Sequence, residues 1–175
     1  MVQSTDPARQ QQALAYIRHQ AAKSLSELAA LMERTGAECA HCLESVTDTQ
    51  ASFSHGEEWS MKEVLGHMLG SSAAINHEIA GLAAGRESRP PGRTGITAGG
   101  DRPIEELRGS LADLWVETGR LVASLPEDGN LERTWDHPWF GPLNFKEWIV
   151  FQRLHAMDHV QQMERLKEHP DYPEA

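Results

Sequence analysis

Every long apolar pattern in this chain steps by three or four residues, and no stretch of useful length alternates by two. A half-buried strand needs period-two patterning, so the fold is restricted to helices packed on helices. Four stripes can be traced. The first runs Leu14, Ile17, Ala21, Leu25, Leu28, Met32, Thr35, Cys39, Leu43 and Val46. It predicts one long helix, or two stacked pieces with a weak point at Gly36. The second takes in Val64, His67, Met68, Ser71, Ile75, Ile79 and Leu82 and ends near Gly85. The third, Ile104, Leu107, Leu111, Leu114, Thr118, Leu121 and Leu125, starts near Asp101 to Pro103 and stops at Pro126. The fourth is Trp148, Phe151, His155, His159, Gln162 and Leu166, reaching about Lys167.

Helix starts are written into the chain. Asp6 followed by Pro7 is a capping residue before a first-turn proline. Ser60 and Glu63 make a capping box, as do Asn144 and Glu147. Trp59/Val64 and Leu143/Trp148 occupy the matching staple positions. Between the stripes, residues 47–58 are polar and read as a loop. Residues 86–100, with Pro90, Pro91 and several glycines, read as a crossover loop. Residues 126–143 are irregular, and the residues after Lys167 read as a loose tail. The expected fold is all-α: a four-helix bundle with long crossover loops. Residues 1–21 form an N-terminal helical extension or the start of the first helix, and residues 168–175 a tail.

Composition excludes several partners. The 175 residues carry a net charge of −10, the wrong sign for a general nucleic-acid binder or for docking on an anionic membrane. There is no apolar leader and no run long enough to span a bilayer. The default expectation is a cytoplasmic protein. Two cysteines do not make a disulfide scaffold. Cys39 and Cys42 form a CxxC, but no strand precedes it and no second pair accompanies it, so packing is the expected role.

The fourth stripe has the wrong chemistry for a core in its middle. His155 and His159 stand one turn apart on one face, a spacing that lets two imidazoles chelate one metal ion. His67 is placed at a similar depth on the inner face of the second stripe. Together the three could form a divalent-metal site with open positions; alternatively each is a core histidine satisfied by a carbonyl or carboxylate. Gln162 is either a partner of the site or a helix-end residue facing water. Glu63 is explained by its cap. His137 either hangs over a pocket or caps its own loop. Trp135, Trp139 and Trp148 line a cleft or simply fill the core. His19, His41, His55, His77 and His169 read as surface residues.

The blocks Trp59-Ser60-x-x-Glu63-x-x-x-His67, His137-Pro-x-x-Gly141, Glu147-Trp148 and His155-x-x-x-His159-x-x-Gln162 resemble the DinB/YfiT-like superfamily over roughly residues 22–167. The resemblance implies a four-helix bundle with an unusual connection order and a homodimer. It also implies a divalent metal ion on His67, His155 and His159. Some members of that group are transferases or isomerases that use a low-molecular-weight thiol, and others look like metal-dependent hydrolases. The expected function is therefore a metal-dependent enzyme acting on a small molecule in metabolism or stress response. Zn²⁺ or Ni²⁺ is the expected ion, a low-molecular-weight thiol is a candidate co-substrate, and His137 is a candidate base. An anionic thiol would want cations at the pocket rim, and Arg86, Arg89, Arg93 and Arg102 around the crossover loop either meet that need or, as four arginines in an exposed loop more often do, simply form a solvated surface. The alternative is a metal- or ligand-binding stress protein, or a dimerisation scaffold, without turnover.

Overall fold

The computed structural model describes residues 7–86 and 99–174. The elements run α1 (Pro7–Ala21), α2 (Leu25–Cys42), α3 (Asp48–Ala51), α4 (Met61–Ala83), α5 (Ile104–Ser124), β1 (Trp135–His137), β2 (Gly141–Leu143) and α6 (Phe145–Lys167). No helix among them is long and apolar enough to cross a membrane. The Asp6 cap, Arg89, Arg93 and most of the crossover loop lie outside the described residues.

Helices α2, α4, α5 and α6 make the bundle. Helix α2 packs on α5 and α6, and α4 packs on the same two. The consecutive helices α2 and α4 therefore face each other across the diagonal, which is why the connections are long. His67 meets His155 and Ser72 meets Gln152, so α4 and α6 run antiparallel. Leu28, Met32, Leu65, Met68, Leu107 and Phe145 are among the fully buried side chains at the centre. Helix α1 lies outside the bundle against α6, anchored by the buried Ile17 and by an Arg18–Glu147 pair at 3.6 Å.

The chain departs from the sequence reading in four places. The first stripe does not break at Gly36. It breaks between Ala21 and Leu25, where Ser24 and Glu27 form a capping box. Gly36 lies inside α2, and a Cβ there would stand 2.7 Å from Trp115 Cβ. Glycine is present because α5 approaches closely, and packing offsets its poor helix propensity. Residues 47–58 are not all loop, since α3 forms behind a Thr47/Gln50 capping box. Residues 126–143 contain an antiparallel hairpin pairing Trp135 with Leu143 and His137 with Gly141. Its three-residue strands are too short to show a period. The C-terminal segment is docked rather than loose: Tyr172 packs edge-on against Phe53 at 5.5 Å, and Gln50 Nε2 donates to Pro173 O at 3.0 Å.

Asp48 ties three elements together. One carboxylate oxygen accepts from the buried Lys62 ammonium at 2.7 Å. The other accepts from the Ile104 amide at 2.9 Å. That second bond supplies the cap which Pro103 cannot give α5. The Lys62 bond, then the Ile104 bond, hold the Asp48 carboxyl below its usual range. The sign follows from linkage: stability from this group is present above the unfolded pKa, near about 4, and is lost as pH falls through the lower folded value.

Two outcomes follow. Gly36→Ala is expected to destabilise by about 1–2 kcal/mol in urea denaturation, because the clash with Trp115 exceeds the gain in helix propensity. Asp48→Asn is expected to lower Tm at pH 7, with the deficit against wild type shrinking at pH 3. A deficit equal at both pH values would count against the carboxylate's charge as its source.

Candidate metal centre

The site begins with two helix starts. The Ser60/Glu63 and Asn144/Glu147 capping boxes are both formed, fixing where α4 and α6 begin and which faces they turn inward. From α4, His67 projects into the bundle. From α6 come His155 and His159. His159 is fully buried, and His67 and His155 are each 8% exposed. His67 Nε2 lies 3.2 Å from His155 Nε2, and His159 Nε2 lies 3.2 Å from the same atom.

Burial is the first cause that disfavours charge on all three rings. It pushes His67 to about 4 and His155 to about 3, with repulsion from neighbouring histidines adding to it, and it lowers His159 as well. Neutral rings carry one proton each, and the protons can be placed. His159 Nδ1 faces Gln162 Oε1 at 2.9 Å. An amide oxygen only accepts, so Nδ1 carries the proton and the His159 Nε2 lone pair faces the cluster. His155 Nε2 then has a single proton, or a single lone pair, with which to meet two neighbours. His67 Nδ1 is buried without a hydrogen-bond partner among the described residues. One neutral proton arrangement cannot serve both contacts well.

A cation can. Two imidazole nitrogens bound to one ion at 2.0–2.1 Å with tetrahedral geometry sit about 3.3 Å apart, and the observed spacing is 3.2 Å. The three ligand nitrogens are mutually within 4.8 Å. Neutral, buried and converging, His67, His155 and His159 could hold a divalent ion, with no fourth ligand in the cluster among the described residues.

An aromatic layer borders the centre. Trp59 lies 5.2 Å from the His67 ring, and Phe151 stacks on His155 at 5.8 Å. Trp148 is buried, stacks on Trp135 at 4.2 Å and donates its indole N–H to Trp135 O. Trp139, 39% exposed, sits at the hairpin turn. Its carbonyl accepts from the Gln10 side chain of α1. His137 ends β1. Its Nδ1 accepts from the Trp139 and Phe140 amides at 3.1 and 3.3 Å. That caps the turn and leaves the ring proton on Nε2. Burial lowers His137 to about 4, and its ring lies 4.4 Å from Phe151.

Other sequence candidates fall away from the centre. Cys39 and Cys42 are buried, and desolvation raises both thiols to about 12. Arg102 bonds Glu106 and Ser110, and the Arg86 guanidinium lies over Gly81. Two residues were missed. Gln152 is fully buried one turn before His155 and sits on the same stripe as Trp148, so its spacing was a usable signal. Phe151 was counted as core, but it is half-buried and contacts the rings of both His155 and His137.

Fold and site together define an all-α bundle with a histidine centre buried between two antiparallel helices. The sequence profile of the DinB superfamily matches residues 31–163, which include all three histidines. The chain belongs to the DinB superfamily. A comparison with curated proteins finds no match. Helix α1 precedes the matched region.

The His137 cap has a measurable signature. His137→Ala is expected to cost about 2 kcal/mol, from two amides left without an acceptor and lost ring packing. His137→Asn should recover part of the loss, because its side-chain oxygen can accept from amides in such a turn. Equal losses in chemical denaturation would argue against the cap.

Proposed function

We propose that this protein is a metal-dependent enzyme acting on a small molecule, with His67, His155 and His159 as ligands of a Zn²⁺ or Ni²⁺ ion. The reading is carried by one observation: three neutral Nε2 groups meet in the bundle interior, with no fourth ligand beside them among the described residues. Structural zinc sites are closed by four protein ligands, whereas catalytic ones keep an open position. The bound ion would supply Lewis acidity and lower the pKa of a coordinated water or thiol toward neutrality.

The chain's own residues do the rest. Gln162 fixes the His159 tautomer so that its Nε2 lone pair points inward, the role outer-shell partners play in such sites. His137 is neutral with its acceptor nitrogen occupied, so in this role it donates a hydrogen bond from Nε2 to a substrate oxygen and is not the base. Phe151, Trp148 and Trp59 supply an apolar wall that excludes water. Hydrolysis of an ester or amide and transfer from a low-molecular-weight thiol would both use the open position on this ion. Of the arginines named for an anionic thiol, Arg102 is bonded to Glu106 and Ser110, and Arg86 lies over Gly81.

Metal analysis tests the reading. After chelation and reconstitution, wild type should retain one tight equivalent, and His155→Ala and His159→Ala should lose it. Gln162→Leu should weaken affinity by about 10- to 100-fold without abolishing binding. The loaded protein is then assayed for ester and amide hydrolysis and for conjugation of low-molecular-weight thiols. Failure to hold any tight equivalent overturns the metal reading. Full loading with no turnover in either assay favours the binding-only alternative.

A further inference from the structure

The fold brings together three more metal-binding side chains that are distant in sequence. His55 lies in the loop between α3 and α4, while His169 and Asp171 follow α6. The His55 and His169 rings are 4.0 Å apart with an interplanar angle of 35°. Candidate ligand atoms of His55, His169 and Asp171 all lie within 4.8 Å of one another. His169 Nδ1 is 3.9 Å from Asp171 Oδ2. Two ligands of one ion at about 2.0–2.2 Å cannot be more than about 4.2 Å apart, so that pair already falls within the span of a shared ion.

The surroundings hold the group in place and engage one of its donor atoms. Phe53 packs on His169 at 5.6 Å and on Tyr172 at 5.5 Å, and the Tyr172 hydroxyl reaches Met61 Sδ at 3.9 Å. The His169 ring is therefore backed by an apolar patch, while His55 and Asp171 face solvent. One existing bond must be exchanged: the Asp171 amide donates to His169 Nδ1 at 3.1 Å. Ion capture at that nitrogen replaces this bond with a stronger one.

We propose that His55, His169 and Asp171 form a second divalent-cation site, separate from the buried centre. Two imidazoles and a carboxylate suit Zn²⁺, Ni²⁺ or Cu²⁺ rather than Mg²⁺ or Ca²⁺. The site is exposed and built from two connecting segments, so it binds more weakly than the buried centre. Its effect is to staple the C-terminal segment onto the loop that leads into α4. This claim does not depend on the buried centre being catalytic, or on its holding metal.

Calorimetric titration of chelator-treated full-length protein with Zn²⁺ tests it, with Mg²⁺ as control. Wild type should show a micromolar Zn²⁺ event that His55→Ala/His169→Ala and Asp171→Asn each weaken at least tenfold. The same event should persist in a variant lacking His67, His155 and His159. These substitutions lie on the surface, and circular dichroism checks that each variant is folded. Backbone amide shifts on Zn²⁺ addition should include residues 55 and 169–172. A titration left unchanged by the surface variants overturns the site, as does binding seen only at millimolar Zn²⁺. Failure of the buried centre would instead appear as loss of the tight event alone.

Discussion

Three imidazole nitrogens share one buried space, and two of their contacts fall on a single atom, His155 Nε2. Much of the surrounding structure serves to make that crowding tolerable. Burial keeps the rings uncharged, which removes the strongest repulsion between them. Gln162 removes the ambiguity in one tautomer. The capping boxes of α4 and α6 set the rotation of two long helices, so that residues about two to four turns in from each start point to the same place. A cluster of neutral lone pairs is costly to assemble unless a cation gathers them, and that cost is the physical case for a metal here.

Around this centre the molecule divides its tasks. The α2–α5 side is a packing surface, close enough at Gly36 and Trp115 that no side chain fits between the helices. The α4–α6 side carries polar groups at its interface: Ser71, Ser72, Gln152 and the three histidines are all buried. The hairpin then backs Trp148 with Trp135 and supplies His137. Helix α1 lies against α6 and reaches the hairpin turn through Gln10 and Trp139. The superfamily match, residues 31–163, does not include this helix.

Much of this was legible before any coordinates. Helical periodicity marks the four bundle helices, and the Ser60/Glu63 and Asn144/Glu147 signatures locate two starts to the residue. The histidines stand out because they interrupt an apolar stripe. What was not legible has physical reasons. The break at Ser24 falls where the stripe happens to continue in phase on both sides, so periodicity hides it although the Ser24/Glu27 box is present. Gly36 resembles a helix breaker because its reason for being there, the Trp115 contact, belongs to a partner about eighty positions away. Strands of three residues leave no period to read. His55 and His169 look like isolated surface residues because only the return of the chain after α6 makes them neighbours.

The diagonal placement of α2 and α4 has a consequence for how the chain assembles. The nitrogen contact between α4 and α6 closes a sequence separation of 88 residues, and α5, which lies between them in the chain, must already have been threaded to its place. Contacts of such long range form late and slowly in folding, because loop closure must be completed before they contribute. A chain with its helices stacked in simple sequential order would leave His67 on the wrong side of the bundle from His155 and His159. An ion held by all three histidines would therefore require the native topology, and its binding would favour that arrangement over simpler competitors.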